Sequence, residues 1–178
     1  ELAETRSNTL RMAFGYPSLP DVELRIVDAE HPKNITSGWV APVRDYFDRR
    51  RKSYGVYIPE KKRSENAFAG LIHVGVDAAW RQQHGTVVAI ADGVVRLVRA
   101  GMPSWGGLVI VEHRDEKGAT LCSLYGHLGP LITVRPGDRV RKGQKLGSLG
   151  RAWTIDAGGY ESHIHFGIHR GAFKGGVK

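Results

Sequence analysis

From Ala67 to Arg170 the chain is written as short apolar runs cut by glycine: AGLIHVGVDAA, TVVAIADGVVRLVRA, GGLVIVEH, ATLCSLYGHL, LITVRPGDRVRKGQKLGSLG and SHIHFGIHR. These runs are brief, rich in Val and Ile, and bounded by Gly, Pro, Asp and Asn, which is the pattern of strands joined by tight turns. None of them sustains the 3.6-residue period of a long amphipathic helix. The pattern predicts an all-β, compact, hairpin-rich fold. Two segments rhyme, GTVVAIADGVVRLV at 85–98 and PGDRVRKGQKLGSLG at 136–150, each with glycine-bounded turns between β-branched strands. Such repeats belong to barrel-sandwich-like architectures, where small sheets curl over one another.

Residues 1–66 follow a different pattern. One strand-like alternation, Val22 to Val27, precedes the charged stretch RDYFDRRRKSYGVYIPEKKRSEN. The expected organisation is an irregular N-terminal extension and charged loop wrapping the core (1–66), a catalytic-type domain (67–170) and a short tail (171–178). A chain of 178 residues has room for one domain and an extension. With 23 glycines it is well above the usual share of about 7%.

Charge narrows the partners. A net charge of +8 favours an anionic partner, whether nucleic acid, an anionic membrane or an acidic cell-wall polymer. No basic patch interleaved with aromatics and no zinc-finger spacing is present, so nucleic acid is not expected. The clusters Arg49–Lys52 and Lys61–Arg63 read as solvated faces. The single cysteine, Cys122, excludes an internal disulfide and a cysteine-built zinc site, and reads as a small buried hydrophobe. No apolar run approaches the roughly 20 residues of a membrane-spanning helix. The opening ELAETRSNTL has neither a signal peptide nor an initiator methionine, which reads as a piece of a longer chain and leaves secretion open.

The candidate chemistry lies in ESHIHFGIH, residues 161–169. On a strand, His163, His165 and Gly167 face one way while Ile164, Phe166 and Ile168 face the other. That describes a strand packed on a core behind and lining a wet site in front, where an imidazole could hold a metal. HVGVD, residues 73–77, offers an imidazole and a carboxylate four apart. A straight strand would separate them by roughly 13 Å, too far to share an ion with bonds of about 2.0–2.2 Å. A bend or bulge at Gly75 is therefore expected, curling Asp77 back toward His73.

HVGVD, LYGHL and HIHF, in that order and with GTVVAIADGVV after the first, resemble the lysostaphin-type (LytM-like) zinc metallopeptidases, which cut peptidoglycan peptides. The resemblance covers about residues 67–170. It implies a duplicated hybrid motif within the all-β fold, one Zn2+ held by His73, Asp77 and His165, and an unliganded catalytic pair, His127 and His163. It also implies peptidoglycan stems or cross-bridges as substrate and a cell-envelope, periplasmic or extracellular location. Strand parity puts His127 on one face with Tyr125, Ser123 and Leu121, so Tyr125 is expected as a site wall.

Two departures from the family pattern stand out. The segment RAWTIDAGGYES before the H-x-H is long and carries Trp153 and Tyr160, expected as substrate-contacting groove walls. The lead-in before His73 is long and charged, and His31, Asn34 and Asn66 are its candidate donors for occluding the zinc. Among the remaining residues, His31 and His84 read as surface, His113 as a structural histidine at a strand end, His169 as lying outside the metal's ligands, and Trp39, Trp80 and Trp105 as packing residues. The competing readings are a catalytically silent LytM-like regulator or cell-wall binding module, and a sugar-phosphotransfer carrier. Silent relatives usually lose ligands, and all five key positions are present here; a carrier would not use a two-histidine, one-aspartate zinc set. Glycine bridges and D-alanyl-diaminopimelate links both stay open as the scissile bond.

Overall fold

The glycine-cut runs become strands. The structure, a computed structural model, describes residues 38–59 and 69–175. The Val22–Val27 alternation, His31, Asn34, Lys61–Arg63 and Asn66 lie outside the described residues. The strands are β1 (Val76–Ala78), β2 (Thr86–Val88), β3 (Gly93–Met102), β4 (Gly106–Arg114), β5 (Thr120–Leu128), β6 (Arg139–Val140), β7 (Lys145–Ser148) and β8 (Ile164–Arg170). A 3-10 turn, Ile155–Ala157, precedes β8. The all-β expectation holds.

Six strands form one sheet in the order β1-β8-β5-β4-β3-β6, and β2 pairs with β7 in a second. Every pairing among the described strands is antiparallel. The two rhyming segments turn out to be partners. Thr86 stands opposite Ser148 in the small sheet, and Gly93 opposite Val140 in the large one. Each segment thus gives one strand to each sheet, and the turn between them is laced by the Ala89 amide donating to the Gln144 carbonyl.

The main core fills the space between the sheets. Val76, Val95, Val111, Ile164 and Phe166 from the large sheet meet Val87 and Leu146 from the small one. Each such aliphatic side chain, fully buried, contributes about 1.5–3 kcal/mol. Cys122 is buried, as expected, in a smaller cluster with Leu97, Leu108, Ile110 and Leu124. His113 is buried too, within hydrogen-bond distance of the Asp92 carbonyl and the Ser123 hydroxyl, which makes it structural.

Residues 38–59 lie against the sheets' edges. Val43 bridges to Val87, Lys52 to Asp77 and Tyr57 to Ile72, all antiparallel. The lead-in thereby occupies hydrogen-bonding groups that β1 and β2 would otherwise expose.

Candidate metal centre

His73 and Asp77 are joined by a bend at Gly75, and their side chains meet: His73 Nε2 lies 3.0 Å from Asp77 Oδ1. The expected bend is present, but its reason differs. Gly75 does not have a positive φ. A Cβ there would stand 2.5 Å from His165 Nε2 and 2.7 Å from the Phe166 carbonyl, so glycine is needed for space.

On β8, strand parity works as the sequence indicated. His165 is registered opposite Asp77 while Ile164 and Phe166 enter the core. His165 Nδ1 lies 3.1 Å from Asp77 Oδ1 and 3.0 Å from His73 Nε2, and all three residues are buried. Donor atoms around a tetrahedral ion with bonds of about 2.0–2.2 Å stand about 3.3–3.6 Å apart, so a small outward shift accommodates a dication. The tautomers favour one. His73 Nδ1 lies 3.0 Å from the Ser53 carbonyl, which can only accept, so Nδ1 carries the proton and neutral His73 aims a lone pair from Nε2 at a carboxylate oxygen. Two acceptors at that distance repel unless a proton or a cation lies between them.

His163 sits just before β8 and turns its Nε2 to the same place, 3.5 Å from Asp77 Oδ1. Its Nδ1 lies 2.6 Å from the Glu161 carbonyl, and its ring tilts against Trp80 at 4.7 Å between centroids. The buried Ser162 hydroxyl donates to the Gly150 carbonyl at 2.8 Å and anchors this approach.

His127 arrives by another route. Tyr125 is opposite Phe166 and Gly126 opposite His165, so alternation would point residue 127 into the core. Its backbone instead adopts φ of 62°, pinned by its amide donating to the Trp105 carbonyl and its carbonyl accepting from the Gly150 amide. The ring swings into the site, 4.4 Å from that of His163. This corrects the shared face expected for His127 and Tyr125. Tyr125 is fully buried, its hydroxyl accepting from the Ile90 amide and lying 2.9 Å from the Ser123 hydroxyl, so it belongs to the core and cannot contact a substrate.

Burial and charge set the protonation states. Burial works to raise the Asp77 pKa, but the facing nitrogens of His163, His165 and His73, when they carry a proton, hydrogen-bond to it, outweigh burial and hold the carboxyl far below the ordinary range. Burial lowers the His127 pKa well below the usual histidine value, and the nearby His163 and His165 add to the effect. Burial likewise lowers His165, with Asp77 opposing. The Nδ1 atom of His127 is buried without a hydrogen-bond partner, unusual for a polar atom that nothing is meant to meet.

These groups line a cavity of about 140 Å3. Trp153 and Tyr160 stand on its wall, as expected, with Trp153 71% exposed. The wall also includes residues expected elsewhere in the fold. Trp80 and Trp105 line the cavity rather than only packing, and Trp105 stacks on His127. Lys52 and Ile58 reach it from the lead-in. Only backbone pairing across the fold brings them there, so no local spacing could have revealed them. His84 is exposed, as expected, and His169 lies outside the cluster.

The catalytic domain of lysostaphin from Staphylococcus simulans is similar in structure, with a TM-score of 0.54 and 24% identity over 72% of this chain and 84% of that one, a likeness of fold. A chain of the SpoIIIAH–SpoIIQ complex aligns with a TM-score of 0.53 and 25% identity, covering 74% of this chain and 92% of that one. Among curated proteins, the lipoprotein NlpD/LppB homolog of Pseudomonas aeruginosa is 33% identical over 101 residues, 57% of this chain and 30% of the relative. This chain thus spans less than a third of that relative's length. Residues 71–175 match the profile of Peptidase family M23, a span that holds all five of the converging histidines and aspartate, and this chain belongs to that family.

Proposed function

We propose that the chain is a zinc-dependent endopeptidase that hydrolyses peptide bonds in peptidoglycan stems or cross-bridges, acting in the cell envelope. The observation that carries this reading is the convergence of His73 Nε2, Asp77 Oδ1 and His165 Nδ1 to within 3.1 Å of one another beside two further histidines. His73, Asp77 and His165 would hold one Zn2+ per chain. When bound, the ion supplies Lewis acidity, polarising the scissile carbonyl and acidifying water. His127, kept neutral by burial, takes the proton of the attacking water and returns it to the leaving nitrogen. His163, whose Nδ1 donates to the Glu161 carbonyl, turns Nε2 toward the cluster, and as an imidazolium it offers a hydrogen bond from that nitrogen to the developing oxyanion. Trp80 and Trp105 exclude water behind these rings, and Trp153 and Tyr160 contact the substrate peptide. The net charge of +8 helps hold the protein on anionic wall polymers.

The test is digestion of purified sacculi, one preparation with glycine bridges and one with D-alanyl-diaminopimelate links, with mass analysis of the released peptides. Zinc-loaded protein should release fragments carrying new amino and carboxyl termini from at least one of them, and His163→Ala should release none. His165→Ala should lose zinc by elemental analysis, whereas His127→Ala should keep zinc and lose turnover. A zinc-free His127→Ala would overturn the division between ligands and proton carriers.

The second reading, a silent regulator on the same fold, draws on the likeness to the NlpD/LppB homolog and to a chain crystallised in a two-protein complex. Full zinc occupancy with no hydrolysis of either sacculus would favour it.

A further inference from the structure

Lys52 lies outside the span that matches the family, yet its ammonium nitrogen stands 3.8 Å from Asp77 Oδ2. The backbone puts it there. The Asp77 amide donates to the Lys52 carbonyl at 2.8 Å, the Arg51 amide donates to the Asp77 carbonyl at 2.9 Å, and the two residues are antiparallel bridge partners. Directly opposed residues carry their side chains on the same face, so the lysine shares the metal side of β1. Reciprocal hydrogen bonds fix the register: the Gly55 amide donates to the His73 carbonyl, and the His73 amide to the Val56 carbonyl. The next residue along, Ser53, gives its carbonyl to His73 Nδ1. Consecutive residues of the lead-in therefore contact two members of the cluster.

Asp77 uses its oxygens differently. Oδ1 faces His73 Nε2 and His165 Nδ1, while Oδ2 faces Lys52. A carboxylate with both oxygens free can turn and bind an ion through both, filling the position that a catalytic zinc site must keep open. We infer that Lys52 is a positioning residue: it holds Oδ2 of Asp77 away from the ion, so that the carboxylate ligates through Oδ1 alone. This inference rests on the metal-centre reading proposed above. Partners of this outer kind typically change metal affinity or activity by about 10–100-fold.

The test uses the full chain loaded with Co2+ in place of Zn2+, because the visible absorption of cobalt is intense in four-coordinate sites and weak in sites of higher coordination. Lys52→Met keeps the aliphatic stem and removes the charge; Lys52→Arg keeps the charge. The parent chain and Lys52→Arg should share an intense spectrum. Lys52→Met should show a weakened one, and its zinc form should lose about 10–100-fold in kcat with little change in KM. Lys52→Ala carries the same readouts should Lys52→Met not fold. A Lys52→Met protein with the parent's spectrum and kcat overturns the role given to Lys52. A parent chain that takes up no cobalt or zinc overturns the metal-centre reading itself, and the two failures are thereby distinguished.

Discussion

Gly75 shows how a single hydrogen atom in place of a methyl group decides whether the cluster assembles. The bend it occupies was legible from the spacing of His73 and Asp77, but the need for glycine there was not, because the obstacle is the ring of a residue ninety positions away. Gly75→Ala should displace His165 and lower zinc stoichiometry, with a stability loss of about 1–3 kcal/mol from the overpacked contact; elemental analysis and urea unfolding read the two effects. Unchanged zinc content would show that the site has slack the packing denies. The histidines make a separate prediction in the metal-free protein. His127 and His165 have native pKa values lowered by burial, so below about pH 6.5 the unfolded chain binds protons that the native chain refuses. Stability is then fully present above that pH and lost as pH falls through it, by up to about 1.4 kcal/mol per pH unit for each histidine. Asp77 acts lower, below about pH 4, because its native pKa is depressed and its stabilisation disappears only as the unfolded carboxyl takes a proton. Urea midpoints between pH 7.5 and 5.5 should therefore fall for the parent chain and fall less for His127→Phe. Equal slopes would mean that His127 is not held neutral.

At the scale of the strand, periodicity was a sound guide on β8 and misleading on β5. Both were read by alternation, and β8 obeys it through Phe166, whereas β5 carries His127 one residue before its end, where a positive φ reverses the side chain's direction. No sequence signal marks the reversal, since His127 is not a glycine and its conformation is imposed by Trp105 and Gly150 from other segments. The β4–β5 register also shifts between Gly107 and Val109, and a Cβ on Gly107 would collide with the Leu128 carbonyl. Gly107→Ala should push apart the end of β5 that carries His127. Zinc content should stay stoichiometric while turnover on sacculi falls; a variant with full turnover would show that the irregularity does not aim the histidine. The rhyming segments were legible as a repeat, but their mutual pairing was not, because similarity says nothing about which strands meet.

Across the whole molecule, the family match begins at residue 71 while the packing begins earlier. Val43 and Ile58 are buried, and residues 51–58 hydrogen-bond along β1 and the chain just ahead of it. The two-histidine, one-aspartate set was readable because each piece is a short local motif. Of the parts that come from the lead-in, Lys52 was read within a solvated charged cluster and Ser53 was not singled out, because only the folded sheet edge reveals their neighbours. A chain beginning at Ala69 should expose the β1 edge, lose stability to urea and associate in size-exclusion chromatography; an unchanged midpoint and a monomeric profile would show that the lead-in is dispensable to the fold. Where the ion sits is read by anomalous diffraction at the zinc edge from crystals of the zinc-loaded chain. One peak per chain is expected, about 2.0–2.2 Å from His73 Nε2, Asp77 Oδ1 and His165 Nδ1, with His127 and His163 outside bonding distance; no peak there, or a peak bonded to His127 or His163, would contradict this assignment of ligands.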